Sequence, residues 1–197
     1  MTEKKLLIAL LGVSAVATIQ AESAHQHGVA NLNIAISKQN LVIELHTPAD
    51  NILGFEFMPK TDRQKQKLSD SLSLLKQPDS LFEIPKQAQC NLKQTKIDNP
   101  FAPEKTHETE HKKHDSLDSS DEYKHDSHDN KEHETHTDFE IQYSYHCQQP
   151  ERLTDLATNG LFKHFPNFVT LKVQWANDSQ QSATTLTKQA TTVSFNP

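Results

Sequence analysis

Glycine is scarce in this 197-residue chain, which contains four glycines and no cluster of them. A loop that cradles a nucleotide phosphate needs closely spaced glycines, because the backbone must approach the ligand. No serine nucleophile motif is present, and basic residues do not form a patch with interleaved aromatic residues. The formal net charge is −6. These absences exclude a phosphate-loop enzyme and a nucleic-acid-binding protein of any simple kind.

Long apolar runs are also absent, except for residues 6–16 near the amino terminus. This run has eleven residues, whereas a membrane-spanning helix needs about 20. Two lysines precede it, and the small residues Ala17 and Ala21 follow it as candidate cleavage positions. The pattern is typical of a secretory signal peptide over residues 1–21, rather than of a buried amino-terminal helix. We therefore expect a periplasmic protein in a bacterium, with no membrane insertion after cleavage.

Cysteine is limited to Cys90 and Cys147. An exported protein meets an oxidising environment, and an even pair in that setting predicts one disulfide. The alternative is a pair of reduced, metal-binding thiols. Neither cysteine lies in a short C-x-x-C motif, so we favour the disulfide.

Apolar residues nearly vanish over residues 104–137, where they are limited to Leu117 and Tyr123. Such a segment cannot bury enough surface to offset the entropy lost on ordering. We predict one domain over residues 22–197, in which residues 98–137 are a disordered insert. Residues 104–138 hold twelve acidic residues and five lysines, a net charge of −7, so the rest of the mature chain is neutral.

The same segment carries seven of the twelve histidines. Imidazole nitrogen and carboxylate oxygen are ligands that Zn²⁺, Cu²⁺ and Ni²⁺ accept. Spacings of three and four residues let two ligands share one face if a metal induces a helical turn. Because His-rich tracts are a known metal-binding composition, we favour metal binding over a merely solvated charge run. The predicted ligands are His107, His111, His114, His125, His128, His133 and His136.

Residues 107–111 (HETEH) also fit the zinc-protease signature H-E-x-x-H. A catalytic zinc needs a shaped, dry cavity and a third protein ligand at a set position. The flanking residues offer no apolar stripe that could seat a helix against a core. In a tract this rich in His and Glu the match arises easily, so we expect no enzyme.

Five histidines lie outside the tract. His25 and His27 alternate in "AHQHG", so an extended chain places both on one face, as a second metal site or as a plain exposed strand end. His46, His146 and His164 lie within segments predicted to build the core, and we interpret them as structural.

Strands are predicted on both sides of the insert, over residues 87–97 and 138–147, the second from its alternating apolar residues. Antiparallel pairing with Cys90 opposite Cys147 makes the insert the tip of a hairpin. The further pairs in that register are Leu92–Tyr145, Gln94–Tyr143 and Lys96–Ile141.

Elsewhere the patterns indicate a strand pair at residues 29–36 and 41–47 and a helix capped by Thr61 and Gln64 that ends before Pro78. Pro150 can open a second helix, and three strands follow between residues 168 and 195. We predict an α+β fold: a mostly antiparallel β-sheet sandwich with two short helices and one long disordered His-rich hairpin loop.

Three stretches, "AHQHGVANLNIAI", "LVIELHTPADNILGFEF" and "LFKHFPNFVTLKVQW", together with the two cysteines around the insert, resemble the ZrgA-type family of periplasmic zinc-uptake proteins. The resemblance covers essentially the whole mature chain. It implies a periplasmic Zn²⁺ binder that assists a zinc importer, with the insert and His25/His27 as metal-binding parts. In the family, G-F-E is usually followed by His, whereas Gly54-Phe55-Glu56 is followed here by Phe57, which puts a metal role at that position in doubt.

Two functional classes remain open. One is a transport accessory that captures Zn²⁺ and passes it to an importer or outer-membrane receptor. The other is a storage or tolerance binder for zinc, copper or nickel without a transport role. An inert structural protein with a solvated loop is a third and weaker reading. The sequence alone does not separate the first two.

Overall fold

The computed structural model describes residues 26–102 and 137–195. The predicted signal peptide, His25 and all seven histidines from His107 to His136 lie outside the described residues.

Six strands form a mixed sheet in the order β3-β4-β2-β1-β6-β7, and two more form a small sheet, β5-β8. Neighbouring strands are antiparallel except for β1 and β6, which are parallel. The strands are β1 (Val29–Ser37), β2 (Asn40–Pro48), β3 (Cys90–Asp98), β4 (Asp138–Cys147), β5 (Asp155–Ala157), β6 (Thr170–Ala176), β7 (Gln181–Thr187) and β8 (Thr192–Ser194).

Three short helices accompany the sheets: α1 (Ala49–Leu53), α2 (Asp62–Leu75) and α3 (Asn159–His164). Single 3-10 turns lie at Pro78–Ser80, Lys86–Ala88 and Pro150–Arg152. The predicted cap of α2 is confirmed, because Thr61 and Gln64 exchange side-chain to backbone hydrogen bonds.

The α+β class with a mostly antiparallel sheet is confirmed. The helix predicted to start at Pro150 is wrong: Pro150 opens one 3-10 turn, and α3 begins nine residues later. The reason is that Leu156 is buried in β5 opposite Val193, so this segment pairs as a strand instead. The last three predicted strands exist, but β8 pairs with β5 rather than with β7.

The two faces of the large sheet differ in polarity. On β2, Leu41, Ile43 and Leu45 are buried, and they alternate with residues that are exposed or partly exposed. The Tyr143 hydroxyl donates to the Leu75 carbonyl at 2.7 Å, which ties the end of α2 to the buried face. The opposite face, here called the polar face, carries Asn33, Glu44, His46, Glu140 and Gln142.

The β3–β4 hairpin begins in the predicted register, with Cys90 opposite Cys147 and Leu92 opposite Tyr145. The disulfide is formed, and its Cα atoms are 3.8 Å apart. This is closer than the usual separation of about 5.5–6 Å.

A β-bulge after Leu92 leaves Lys93 as the extra residue, so the predicted pairs Gln94–Tyr143 and Lys96–Ile141 are wrong. Two residues on a bulged strand oppose one on its partner, which shifts the register by one. The observed pairs are Gln94–Ser144, Thr95–Tyr143, Lys96–Gln142, Ile97–Ile141 and Asp98–Glu140. The shift turns Ile97 to the core side and Lys96 and Asp98 to the polar face.

Candidate metal-binding region

The described residues next to 103–136, here called the flanks of the His-rich insert, are held at one end of the large sheet. At this end, here called the insert end, β2 finishes at Pro48 and β4 starts at Asp138. The Thr137 carbonyl accepts the Ala49 N–H at 2.8 Å. On the other flank, Phe101 is buried and packs edge-on against Phe139, with ring centroids 6.3 Å apart. The insert therefore leaves and rejoins the fold beside α1.

His27 lies at the same end, just before β1, and its side chain is 62% exposed. Its Nε2 is 3.1 Å from Glu56 Oε1, and its Nδ1 is 3.9 Å from Asp50 Oδ2. The hydrogen bond to Glu56, followed by the charges of Glu56 and Asp50, raises the pKa of His27 above its ordinary value, while burial opposes the shift weakly. His27 is thus an exposed histidine just before β1 that has two carboxylate neighbours.

The backbone beside His27 is fixed although the ring is exposed. Gly28 has φ +82°, and its carbonyl accepts the N–H groups of Val169 and Thr170, both at 2.8 Å. A Cβ at Gly28 would lie 3.0 Å from Val169 Cγ2, so a side chain here would be crowded as well as strained. These bonds hold the first residue after His27 against the start of β6.

The turn after α1 presents Glu56 to His27. Gly54 ends α1 at φ +81°, and its N–H donates to the Asp50 carbonyl at 2.8 Å. The ring of Phe55 then stacks at 5.1 Å on Phe57, and it lies 6.4 Å from Phe101 beside the insert. Phe57 itself is 55% exposed. The turn that carries Glu56 therefore contacts the root of the insert.

A second histidine with carboxylate neighbours lies on the polar face at the insert end. His46 Nε2 is 3.2 Å from Asp138 Oδ2 and 3.9 Å from Glu140 Oε1. His46 and Glu140 are directly paired across β2 and β4. Both carboxylates approach the same nitrogen, unlike those around His27.

None of the three histidines interpreted as structural is buried. His46 and His146 are partly exposed on the polar face, and His164 is exposed at the end of α3. His146 lies opposite Asn40, at the end of the strands away from the insert. Location within a core element therefore did not imply a core position for these side chains.

Within residues 26–102 and 137–195, no group of three or more His, Cys, Asp or Glu side chains is arranged to hold a metal ion. Around His27 the reason is visible, because Glu56 and Asp50 approach opposite ring nitrogens. Among the helices of the described residues, none is long and apolar enough to cross a membrane.

The sequence analysis did not predict the four carboxylates near His27 and His46, which are Asp50, Glu56, Asp138 and Glu140. One signal was available for Asp50: continuing the β1–β2 register beyond Asn31–His46 places His27 opposite Asp50. Asp138 and Glu140 reach His46 through pairing of β2 with β4, and β3 intervenes between these strands in sequence. No local pattern predicts that non-sequential pairing.

A family model described as ZrgA family zinc uptake protein matches residues 24–195. The match covers both strands around the insert, His25, His27 and the whole described fold. The chain therefore belongs to the ZrgA family of zinc uptake proteins. This is a family of zinc uptake, not a family of enzymes. None of the curated proteins compared with the chain matches it.

Proposed function

We propose that this protein captures Zn²⁺ in the periplasm through its His-rich insert and assists a zinc-uptake system. Family membership supports the role in zinc uptake. The composition of the insert supports the choice of ligands, because imidazole and carboxylate are ordinary zinc donors. The proposed ligands are His107, His111, His114, His125, His128, His133 and His136, with His25 and His27 as a second group.

The observation that carries this proposal is the position of His27 beside the flanks of the insert. His27 contacts Asp50 in α1 and Glu56 in the following turn. The insert's flanks contact the same two elements, through Thr137 to Ala49 and through Phe101 to Phe55. His27 and both flanks of the insert therefore lie at one end of the fold, which supports a common role in metal binding.

The distribution of charge along the chain also supports capture of cations by the insert. The insert segment has a net charge of −7, and the rest of the mature chain is neutral. A locally negative segment attracts cations over a distance, and added salt weakens that attraction. The Cys90–Cys147 disulfide closes the far end of the hairpin, eight residues along β3 from Asp98. At about 3.3 Å per residue, eight residues separate the disulfide from the insert end by about 26 Å.

A calorimetric titration with zinc tests the insert. The variant replaces its seven histidines with Gln, and the matched control replaces its five lysines with Gln. Since zinc takes about four ligands, commonly including two or three histidines, the histidine variant should lose about two or three ions. The lysine variant should keep them. Equal stoichiometry in the histidine variant and the unmodified protein contradicts the proposal.

The alternative is a storage or tolerance binder for zinc, copper or nickel, because the same ligands accept all three ions. Growth of a deletion strain separates the two roles. Uptake predicts poor growth in chelator-treated medium and normal growth in metal-loaded medium. Storage or tolerance predicts the reverse.

A further inference from the structure

We infer that His46, Asp138 and Glu140 form a separate zinc site on the polar face of the sheet, at the root of the insert. The choice of zinc as the metal rests on the proposed function. The site itself does not depend on any histidine of the insert. In this proposal the site is completed when Glu140 turns toward the ion.

Distances between the donor atoms carry the argument. Ligand atoms about 2.0–2.1 Å from a tetrahedral Zn²⁺ lie about 3.3 Å from each other. His46 Nε2 and Asp138 Oδ2 are 3.2 Å apart, which already matches that edge of the tetrahedron. Glu140 Oε1 is 3.9 Å from the same nitrogen. Shortening that distance by about 0.6 Å brings Glu140 to the same tetrahedral spacing from His46, and water fills an open position.

The three side chains differ in solvent exposure, and therefore in how easily they can change conformation. The side chain of Asp138 is 9% exposed, and that of His46 is 41% exposed. Glu140 is 70% exposed, so it can change rotamer without disturbing the core. Two donors are therefore held by the fold while the third is free to adjust.

Backbone pairing explains why the three donors meet. His46 and Glu140 face each other across β2 and β4, and Asp138 lies two residues before Glu140 on the same face. Residues two apart on a strand share a face, and diagonal neighbours remain within reach of longer side chains. Donors on paired strands are positioned more accurately than donors on loops.

The surroundings favour a cation. A hollow on the polar face is lined by His46 and Glu140 together with Glu44, Lys96 and Asp98. Asp98 faces Glu140 across β3 and β4, which adds negative charge beside the site. Lys96 opposes it, but the carboxylates outnumber this lysine.

Long-range ¹H–¹⁵N spectra of the histidine rings in the full protein test the site directly. The signals are assigned with His46→Gln and His146→Gln, and ZnCl₂ is then titrated in. The ring signals of His46 should shift with zinc, whereas those of His146 should not. In Asp138→Asn the zinc concentration for half of the His46 shift should rise at least about tenfold, as for loss of a ligand or of its partner. Amide spectra check that the variant is folded.

Repeating the titration on the variant with seven insert histidines replaced by Gln separates this inference from the proposed function. A His46 shift retained there supports an independent site, whatever happens to the insert stoichiometry. A His46 signal unmoved by excess zinc means that the cluster is an ion pair only, and this overturns the inference. An equal response in Asp138→Asn and the unmodified protein overturns it as well.

Discussion

Asn51 in α1 is bonded to Gly28, the residue that follows His27: its Oδ1 accepts the Gly28 N–H at 2.7 Å. Its Nδ2 donates to the Val29 carbonyl at 2.9 Å and to Thr47 Oγ1 at 3.0 Å. Asn51 is 1% exposed, so these bonds are shielded from water. One buried amide therefore fixes the amino-terminal strand, β2 and α1 together, and with them the spacing between His27 and Asp50.

Replacing Asn51 with Ala should destabilise the protein by about 1–3 kcal/mol, because buried backbone groups lose their partners. Urea unfolding measures the loss. The matched control is Asn159→Ala, since Asn159 makes one exposed bond to Glu83 and its loss should cost little. Equal effects of the two substitutions would mean that the buried amide does not position this end of the fold.

Titration of His27 in metal-free protein should give a pKa above the reference value of about 6.5. Glu56→Gln should lower it, because the bond and charge of Glu56 are the largest causes of the shift. The measurement is ring NMR against pH, and Glu83→Gln is the control. A His27 pKa unchanged in Glu56→Gln would show that the contact is not maintained in solution.

The sign of the pH effect on stability follows from that shift. A pKa raised in the folded state means that the protonated ring stabilises the fold, fully below about pH 6.5. This contribution disappears as the pH rises through the raised pKa. Glu56→Gln should therefore cost more stability at about pH 5.5 than at about pH 9, where His27 is neutral. Binding of zinc at the proposed histidine ligands requires neutral imidazole, so it should weaken toward mildly acidic pH.

Local patterns predicted much of the fold. Alternating residues located β1, β2 and β4, and the Thr61–Gln64 cap located the start of α2, because both signals depend on near neighbours. The bulge after Leu92 was not predicted, although the inserted residue shifts the phase of the alternation, so that Leu92 and Ile97 both belong to the core side. The segment after Pro150 was wrongly predicted as a helix because its pairing partner, β8, lies almost 40 residues further along the chain.

For the candidate site as well, local features were predictable and contacts between distant strands were not. Composition identified His27, but its carboxylate partners depend on how strands pair. Asp50 follows from the register of one hairpin, whereas Asp138 and Glu140 reach His46 only through the non-sequential β2–β4 pairing. A histidine in a strand pattern gives no sign of which strand will lie beside it.

Replacing both Cys90 and Cys147 with Ser should lower stability by about 4 kcal/mol in the chain-entropy model, for a loop of this length. The loop is long because the disulfide joins residues 57 positions apart. Thermal unfolding with and without reductant measures the effect. Reductant should lower the melting temperature of the unmodified protein and not that of the double variant. An equal response of both would mean that the disulfide does not contribute to stability.

Replacing residues 103–136 with a short Gly-Ser linker should leave the fold intact. Its flanks keep their own contacts, since Phe101 packs on Phe139 and the Thr137 carbonyl accepts the Ala49 N–H. The melting temperature of metal-free protein should change by no more than about 2 °C, as expected for a change of about 0.5 kcal/mol or less. Zinc stoichiometry should fall by about two or three ions.

The variant with seven histidines replaced by Gln serves as the control for the loop replacement, because it keeps the length of the insert and removes only the imidazoles. Both variants should lose the same number of zinc ions and should melt alike without metal. If the loop replacement fails to fold while the glutamine variant folds, the insert is a structural part of the domain, and metal capture and folding are not separable in this protein. If both fold and only the loop replacement loses zinc, the ligands in the insert are its carboxylates, because imidazole is then dispensable for binding.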